Sequence, residues 1–221
     1  MSERAAGVAA GIAVAMGAGC TSIADVPVDA GLAARLAGRS VAVVDRAPPA
    51  FGVMLTRLMA LGPLGLPGVT EEGEKLRAQF HLVDPAPEIA TQLGDLLQGR
   101  LGAAVRAPVA ITSRDDPASV VAAAPAGADY VLDVTTVRWG IGNLPAPRSN
   151  YVVTYAAHVR LIDARAATVV AEGGCVMPMN GTEFTGALGE LTRNDGALLK
   201  AELSARADRC ARRLRADLLG Q

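Results

Sequence analysis

The chain has 221 residues, and its 21 basic residues are set against 22 acidic ones for a formal net charge of -1. Apolar residues make up 51%, aromatic residues only 3% and charged residues 19%. So much apolar content with so little net charge excludes intrinsic disorder. The balanced charge excludes a bulk nucleic-acid binder, and the length suits one domain.

Residues Ala5 to Gly19 carry no charge, follow Arg4 and end at Cys20. The run is shorter than the roughly 20 apolar residues of a membrane span. It has the size of a signal-peptide core with small residues at its end. The junction Gly17-Ala18-Gly19-Cys20 resembles a bacterial lipobox, with Gly17 standing where Leu is usual. That resemblance implies cleavage before Cys20 and lipidation of Cys20. Residues 1–19 are then an export signal, residues 20–39 a tether and residues 40–221 a single domain. The competing reading is a buried Ala/Gly helix, a poor one because each interior Gly costs about 1 kcal/mol against Ala. The chain has three cysteines, Cys20, Cys175 and Cys210. With Cys20 lipidated an even pair remains, which in an exported protein readily forms a disulfide. The alternative is two unrelated buried thiols.

Within the tether, Ala30 to Leu36 is expected as a short helix. Ser40 to Asp45 is short, β-branched and stopped by Pro48-Pro49, so it reads as a first buried strand. The segment Ala50 to Val69 is strongly apolar, with Arg57 its one charge. Its prolines and glycines forbid one continuous helix. The local reading is a short helix from Phe51 to Leu61 followed by an apolar loop. This segment is either a flap over the core or an exposed patch, with Phe51, Met54, Leu55, Leu58 and Met59 meeting a partner or a membrane.

Asp84-Pro85 opens a helix, since Asp favours the N-cap and Pro the first turn. Its apolar residues Ile89, Leu93, Leu96, Leu97 and Leu101 share one side, and Gly102 is the expected C-cap. Arg106 to Ile111 is a second strand, parallel to the first because a helix separates them. Asp116-Pro117 starts another short helix, Ala118 to Ala124. Three strands with tight connections follow, Tyr130 to Trp139, Tyr151 to Ile162 and Thr168 to Cys175. The middle one alternates Val153, Tyr155, Ala157, Val159 and Leu161 against more polar residues, as in an antiparallel sheet covered on one side. In the last helix, Ala197 to Leu219, residues Leu199, Leu203, Ala207, Cys210, Leu214 and Leu218 form one inward seam. The fold class is therefore an α/β (α+β) sandwich with a mixed five-stranded sheet, in the order β-α-β-α-β-β-β-α.

Chemistry is sparse. His81 and His158 are isolated, whereas metal sites collect three or four ligands, so a metal site is not expected. Trp139-Gly140-Ile141-Gly142-Asn143 lacks the third glycine and the helix of a nucleotide-binding turn, and reads as a strand-ending loop. No Gly-x-Ser-x-Gly elbow or Walker motif occurs, so no cofactor and no catalytic residues are expected. An enzyme would need a Ser/His/Asp set assembled around His158 by the fold. Asp84, Asp115 and Asp116 are explained by capping, and Asp133 by pairing with Arg138 or Arg160. Arg206, Arg209, Arg212, Arg213 and Arg215 read as a solvated helix face.

The lipobox, the Asp84-Pro85 opener, the strand Ala128-Asp129-Tyr130-Val131-Leu132 and the hairpin entry Val159-Arg160-Leu161-Ile162-Asp163 together resemble uncharacterised bacterial outer-membrane lipoproteins. The element order is similar to the TolB N-terminal domain and to the domain of the curli secretion lipoprotein. The resemblance implies a non-catalytic assembly or accessory factor on the periplasmic face of the outer membrane. Thr21 stands where Asp would imply retention in the inner membrane. Its partners would be the membrane, through the lipid anchor, and an envelope protein or further copies of itself. The alternative is a small-ligand-binding auxiliary of an envelope transporter, which would need a concave apolar pocket.

Overall fold

The computed structural model describes residues 25–54, 66–143, 150–177 and 186–219. The chain before Ser40 already joins the core. Helix α1, Ala30–Leu36, is capped by the Asp29 side chain, which accepts from the Leu32 N–H, and buries Leu32 and Leu36. Strand β1, Ser40–Arg46, follows and is buried over Val41 to Val44. The next element departs from the expected helix. Gly52–Met54 is a short strand, β2, and α2 spans Leu66–Gln79. Two close approaches explain both elements. A Cβ on Gly73 of α2 would strike the Phe51 carbonyl, and one on Gly140 would strike the Gly52 carbonyl. Only glycine lets the chain pass β2 between these neighbours.

Helix α3, Ala86–Leu101, buries Ile89, Leu93, Leu96 and Leu97, as its spacing predicts. Gly102 closes it in the left-handed conformation at φ 67°. The second strand is broken by Pro108 into β3, Ala104–Val105, and β4, Val109–Ile111, both parallel to β1. Helix α4, Pro117–Ala123, is capped by Asp116, which accepts from the Ser119 N–H at 2.9 Å. The meander is longer than its sequence suggests: β5 is Tyr130–Asn143, β6 Asn150–Asp163 and β7 Thr168–Met177. Gly140 to Asn143, read above as loop, is strand, because β2 pairs with it from Gly52↔Gly140 to Met54↔Gly142. A short β8, Gly186–Ala187, and the single turn α5, Leu188–Leu191, precede α6, Arg193–Leu219. Asn194 to Gly196 have left-handed backbone angles, so the regular helix begins after them.

The sheet is mixed, with the path β3-β1-β5-β6-β7 and the short strands β4, β2 and β8 paired at its flanks. This bears out the expected α/β sandwich with a mixed sheet, but the sheet has eight strands where five were expected, because the second strand is split by Pro108 and the short strands β2 and β8 pair at the flanks. The β1 strand lies parallel to β3, β4 and β5, whereas β5, β6 and β7 are antiparallel. Helices α1, α3 and α6 cover one face with a large apolar core. Among the described residues the other face carries α4 alone, over a small cluster of Val44, Val120, Val131 and Ile162. The seam of α6 is buried throughout, from Leu199 to Leu218, and a disulfide joins its Cys210 to Cys175 of β7 with Cα atoms 5.5 Å apart. The chain leading into α1 adds a bridge to the edge of β7, where Val26 and Glu172 exchange backbone hydrogen bonds at 2.8 Å. The Val28 N–H then donates to the carbonyl of Leu218 at 2.7 Å.

Candidate functional site

The chain leaves β1, returns through α3 on one side of it, and crosses by α4 to pair β5 on the other side. Ligand clefts of open α/β sheets lie outside the carboxyl ends of strands at such a reversal. Here that position holds a cleft of about 580 Å³. Asp45 and Pro48 line it from the end of β1, Ile111 from β4, and Trp139 from β5. Arg77 of α2 and the segment Leu82 to Asp84 close it.

Trp139 is buried beneath this cleft. Its indole N–H donates to the Pro49 carbonyl at 2.7 Å, and the Phe51 ring meets it edge-on at 5.2 Å between centroids. Phe51 is fully buried, so it is a core residue and not the exposed partner or membrane contact expected above. The edge-to-face pairing with the indole accounts for its position. Met54 is half-buried against Gly142, and Leu55, Leu58 and Met59 lie outside the described residues.

Asp84 does more than open α3. It accepts from the Ala86 N–H at 3.2 Å and from the Thr136 hydroxyl, which in turn is 3.0 Å from the Tyr155 hydroxyl. The other carboxylate oxygen of Asp84 is buried without a hydrogen-bond partner. Burial pushes the Asp84 carboxyl above its ordinary range, against the hydrogen bonds from Thr136 and Ala86, and the nearby Asp45 charge adds to the rise. Burial likewise raises the Tyr155 phenol.

Across the sheet, Asp133 is fully buried and takes Arg160 and Arg46 on one carboxylate oxygen, with Arg46 at 3.3 Å. Asp115 joins both arginines, at 2.9 Å to Arg46 and 3.0 Å to Arg160. Burial pushes the Asp115 carboxyl up, but the Arg46 hydrogen bond and the two guanidinium charges outweigh it and hold it below its ordinary range. Of the two partners expected for Asp133, Arg160 is the one used. Sequence reasoning gave Asp115 a capping role and missed its part in this network.

His158 lies on the same face and meets Glu172 at 2.7 Å. His81 is exposed, with φ at 50°. Among the described residues no group of three or more His, Cys, Asp or Glu side chains could hold a metal ion. Among them also, no helix is long and apolar enough to cross a membrane. The basic stripe of α6 is only partly a solvated face. Arg212, Arg213 and Arg215 are exposed, whereas Arg206 is buried and pairs with Glu202 at 3.2 Å.

No protein-family model matches the chain, and no curated protein matches it. Among solved structures it is similar to protein XCC0632 from Xanthomonas campestris, with 13% identity and a TM-score of 0.38 over 83% of this chain and 86% of that one. A PelC dodecamer from Paraburkholderia phytofirmans aligns with 14% identity and a TM-score of 0.35 over 90% and 95% of the two chains. Lipoprotein GNA1162 from Neisseria meningitidis aligns with 17% identity and a TM-score of 0.25 over 77% and 99%. At identities and TM-scores this low, no role passes from these proteins to this chain.

Proposed function

We propose that the chain is an exported cell-envelope lipoprotein, anchored through Cys20 to the periplasmic face of the outer membrane and acting as an assembly or accessory factor. The observation that carries this reading is the Cys175–Cys210 disulfide. Such bonds persist in oxidising compartments and are rare where thiols are kept reduced. It accounts for two of the three cysteines and leaves Cys20, at the end of an uncharged run, for the lipid. A protein partner or further copies of this chain are the proposed targets. Growth of producing cells with a clickable palmitate analogue tests the reading. Label on the wild type that disappears in Cys20→Ala is the expected result. An unlabelled wild type, or label that survives the substitution, overturns it.

The cleft beside β1 supports a second reading, a small-ligand-binding auxiliary of an envelope transporter. Such sites are concave and mostly apolar with a few placed polar groups. This one has apolar walls from Pro48, Leu82, Val83, Pro87 and Ile111 and two carboxylates at Asp45 and Asp84.

A further inference from the structure

The cleft's charges are unequal in their partners. Arg46 is taken up across the sheet by Asp115 and Asp133. Arg77 lies 3.5 Å from Glu74 on its own helix. Asp84 accepts from Thr136 and Ala86, yet keeps one buried oxygen unmatched. Asp45 is half-buried at the end of β1 and has no hydrogen bond or ion pair to any described residue. Asp45, with no hydrogen bond or ion pair to any described residue and beside the Asp84 carboxylate, thus places negative charge in an apolar-walled space, while the two arginines of the same lining are drawn towards Asp115, Asp133 and Glu74. Such a space strengthens attraction for an incoming cation, because less water intervenes.

We propose that this cleft binds a protonated primary amine carried on a short apolar chain, with the Asp45 carboxylate as its counter-ion. The inference rests on the ligand-binding reading above. The ammonium group reaches Asp45, and its alkyl stem lies along Pro48, Leu82, Pro87 and Ile111. Val83, which is 79% exposed at the rim, is covered as the stem enters. Two sources share this chemistry, a free alkylamine and a lysine side chain of a partner protein. The stem of lysine is itself a four-carbon apolar chain ending in a compact ammonium.

Trp139 is the only tryptophan of the chain and lies in the cleft wall, so its fluorescence reports occupancy. The full chain in detergent is titrated with hexylamine, hexanol, hexanoate and Nα-acetyl-lysine amide, with calorimetry as a second readout. Saturable hexylamine binding, at least about tenfold tighter than hexanol or hexanoate, is expected; tenfold corresponds to about 1.4 kcal/mol. Asp45→Asn is expected to weaken it about tenfold or more, and Asp45→Glu, which keeps the charge, to restore most of it. Binding of acetyl-lysine amide as tight as that of hexylamine supports a lysine of a partner protein. Binding of hexylamine alone supports a free amine. Hexanol binding as tightly as hexylamine, or indifference to Asp45→Asn, overturns the amine inference and leaves a ligand cleft standing. Binding of none of the four probes in either readout overturns both.

Discussion

The two faces of the sheet are stabilised by different means. The face under α3 and α6 is apolar, and it holds Trp139, Phe51 and the Cys175–Cys210 bond. The face under α4 has a four-residue apolar cluster, and its central buried side chains are charged: Asp133 and Arg160. Burial of apolar area is non-directional and tolerates small shifts, whereas a buried ion pair contributes little net stability but is costly to break. The first face therefore supplies most of the stability. The second fixes where β1, β5 and β6 sit relative to one another, because Arg46, Asp133 and Arg160 come one from each strand.

Substitutions on each face test that division. Phe51→Ala removes the ring that packs on Trp139 and should cost about 3–5 kcal/mol in urea unfolding. A cost below about 1 kcal/mol would place the weight of the apolar face elsewhere. Loss of the disulfide, which closes 35 residues, should cost about 3–4 kcal/mol. Cys175→Ala, Cys210→Ala and the double variant should match one another, since each removes the same bond. A double variant costing the sum of the singles would contradict a shared bond. Asp133→Ala should cost about 3 kcal/mol, the lower end for a broken buried pair, because Asp115 still meets both arginines. Replacing Asp133, Arg160 and Arg46 together by apolar residues should cost less than Asp133→Ala alone. If it costs more, the charged face contributes stability outright.

The smallest effects are the pH slopes, and they have opposite signs on the two faces. Asp84 has a raised pKa, so the folded chain binds more protons than the unfolded one. Its contribution falls as pH rises from the ordinary value near 3.8 through the raised one. Asp115 has a depressed pKa, so the stability it adds is present above the ordinary value and is lost as pH falls through the depressed one. Asp84→Asn should flatten the first slope and Asp115→Asn the second, in melts followed across acidic pH. A slope unchanged by its own substitution would remove that carboxylate from the account.

Much of the fold was legible where one side chain pattern decides one element. The seams of α3 and α6 and the alternation of β6 are periodic, and they bury the residues expected except Leu101 at the end of α3, which is half-buried. The α2 and β2 elements were not legible, because their glycines and prolines read locally as breakers. Gly73 and Gly140 are there to let backbones approach, a reason that exists only in three dimensions. The cleft was hidden for a related cause. Asp45, the pair Arg77 and Asp84, and Trp139 come from three distant stretches, and no motif spacing connects them. Asp84 was recognisable as a helix opener, which it is, and that explanation concealed its bond to Thr136. The charged network was half legible, through the pairing of Asp133 with Arg160 on neighbouring strands.

The bridge from Val26 to Glu172 and the bond from Val28 to Leu218 have a mechanical consequence. Tension applied through the chain before Asp25 enters the domain at β7 and at the end of α6 together. These are the two elements that the disulfide already ties, so a pull cannot peel the edge strand away from the last helix without breaking a covalent bond. Reduction of that one bond would leave the strand and the helix held together by packing and no longer by a covalent tie.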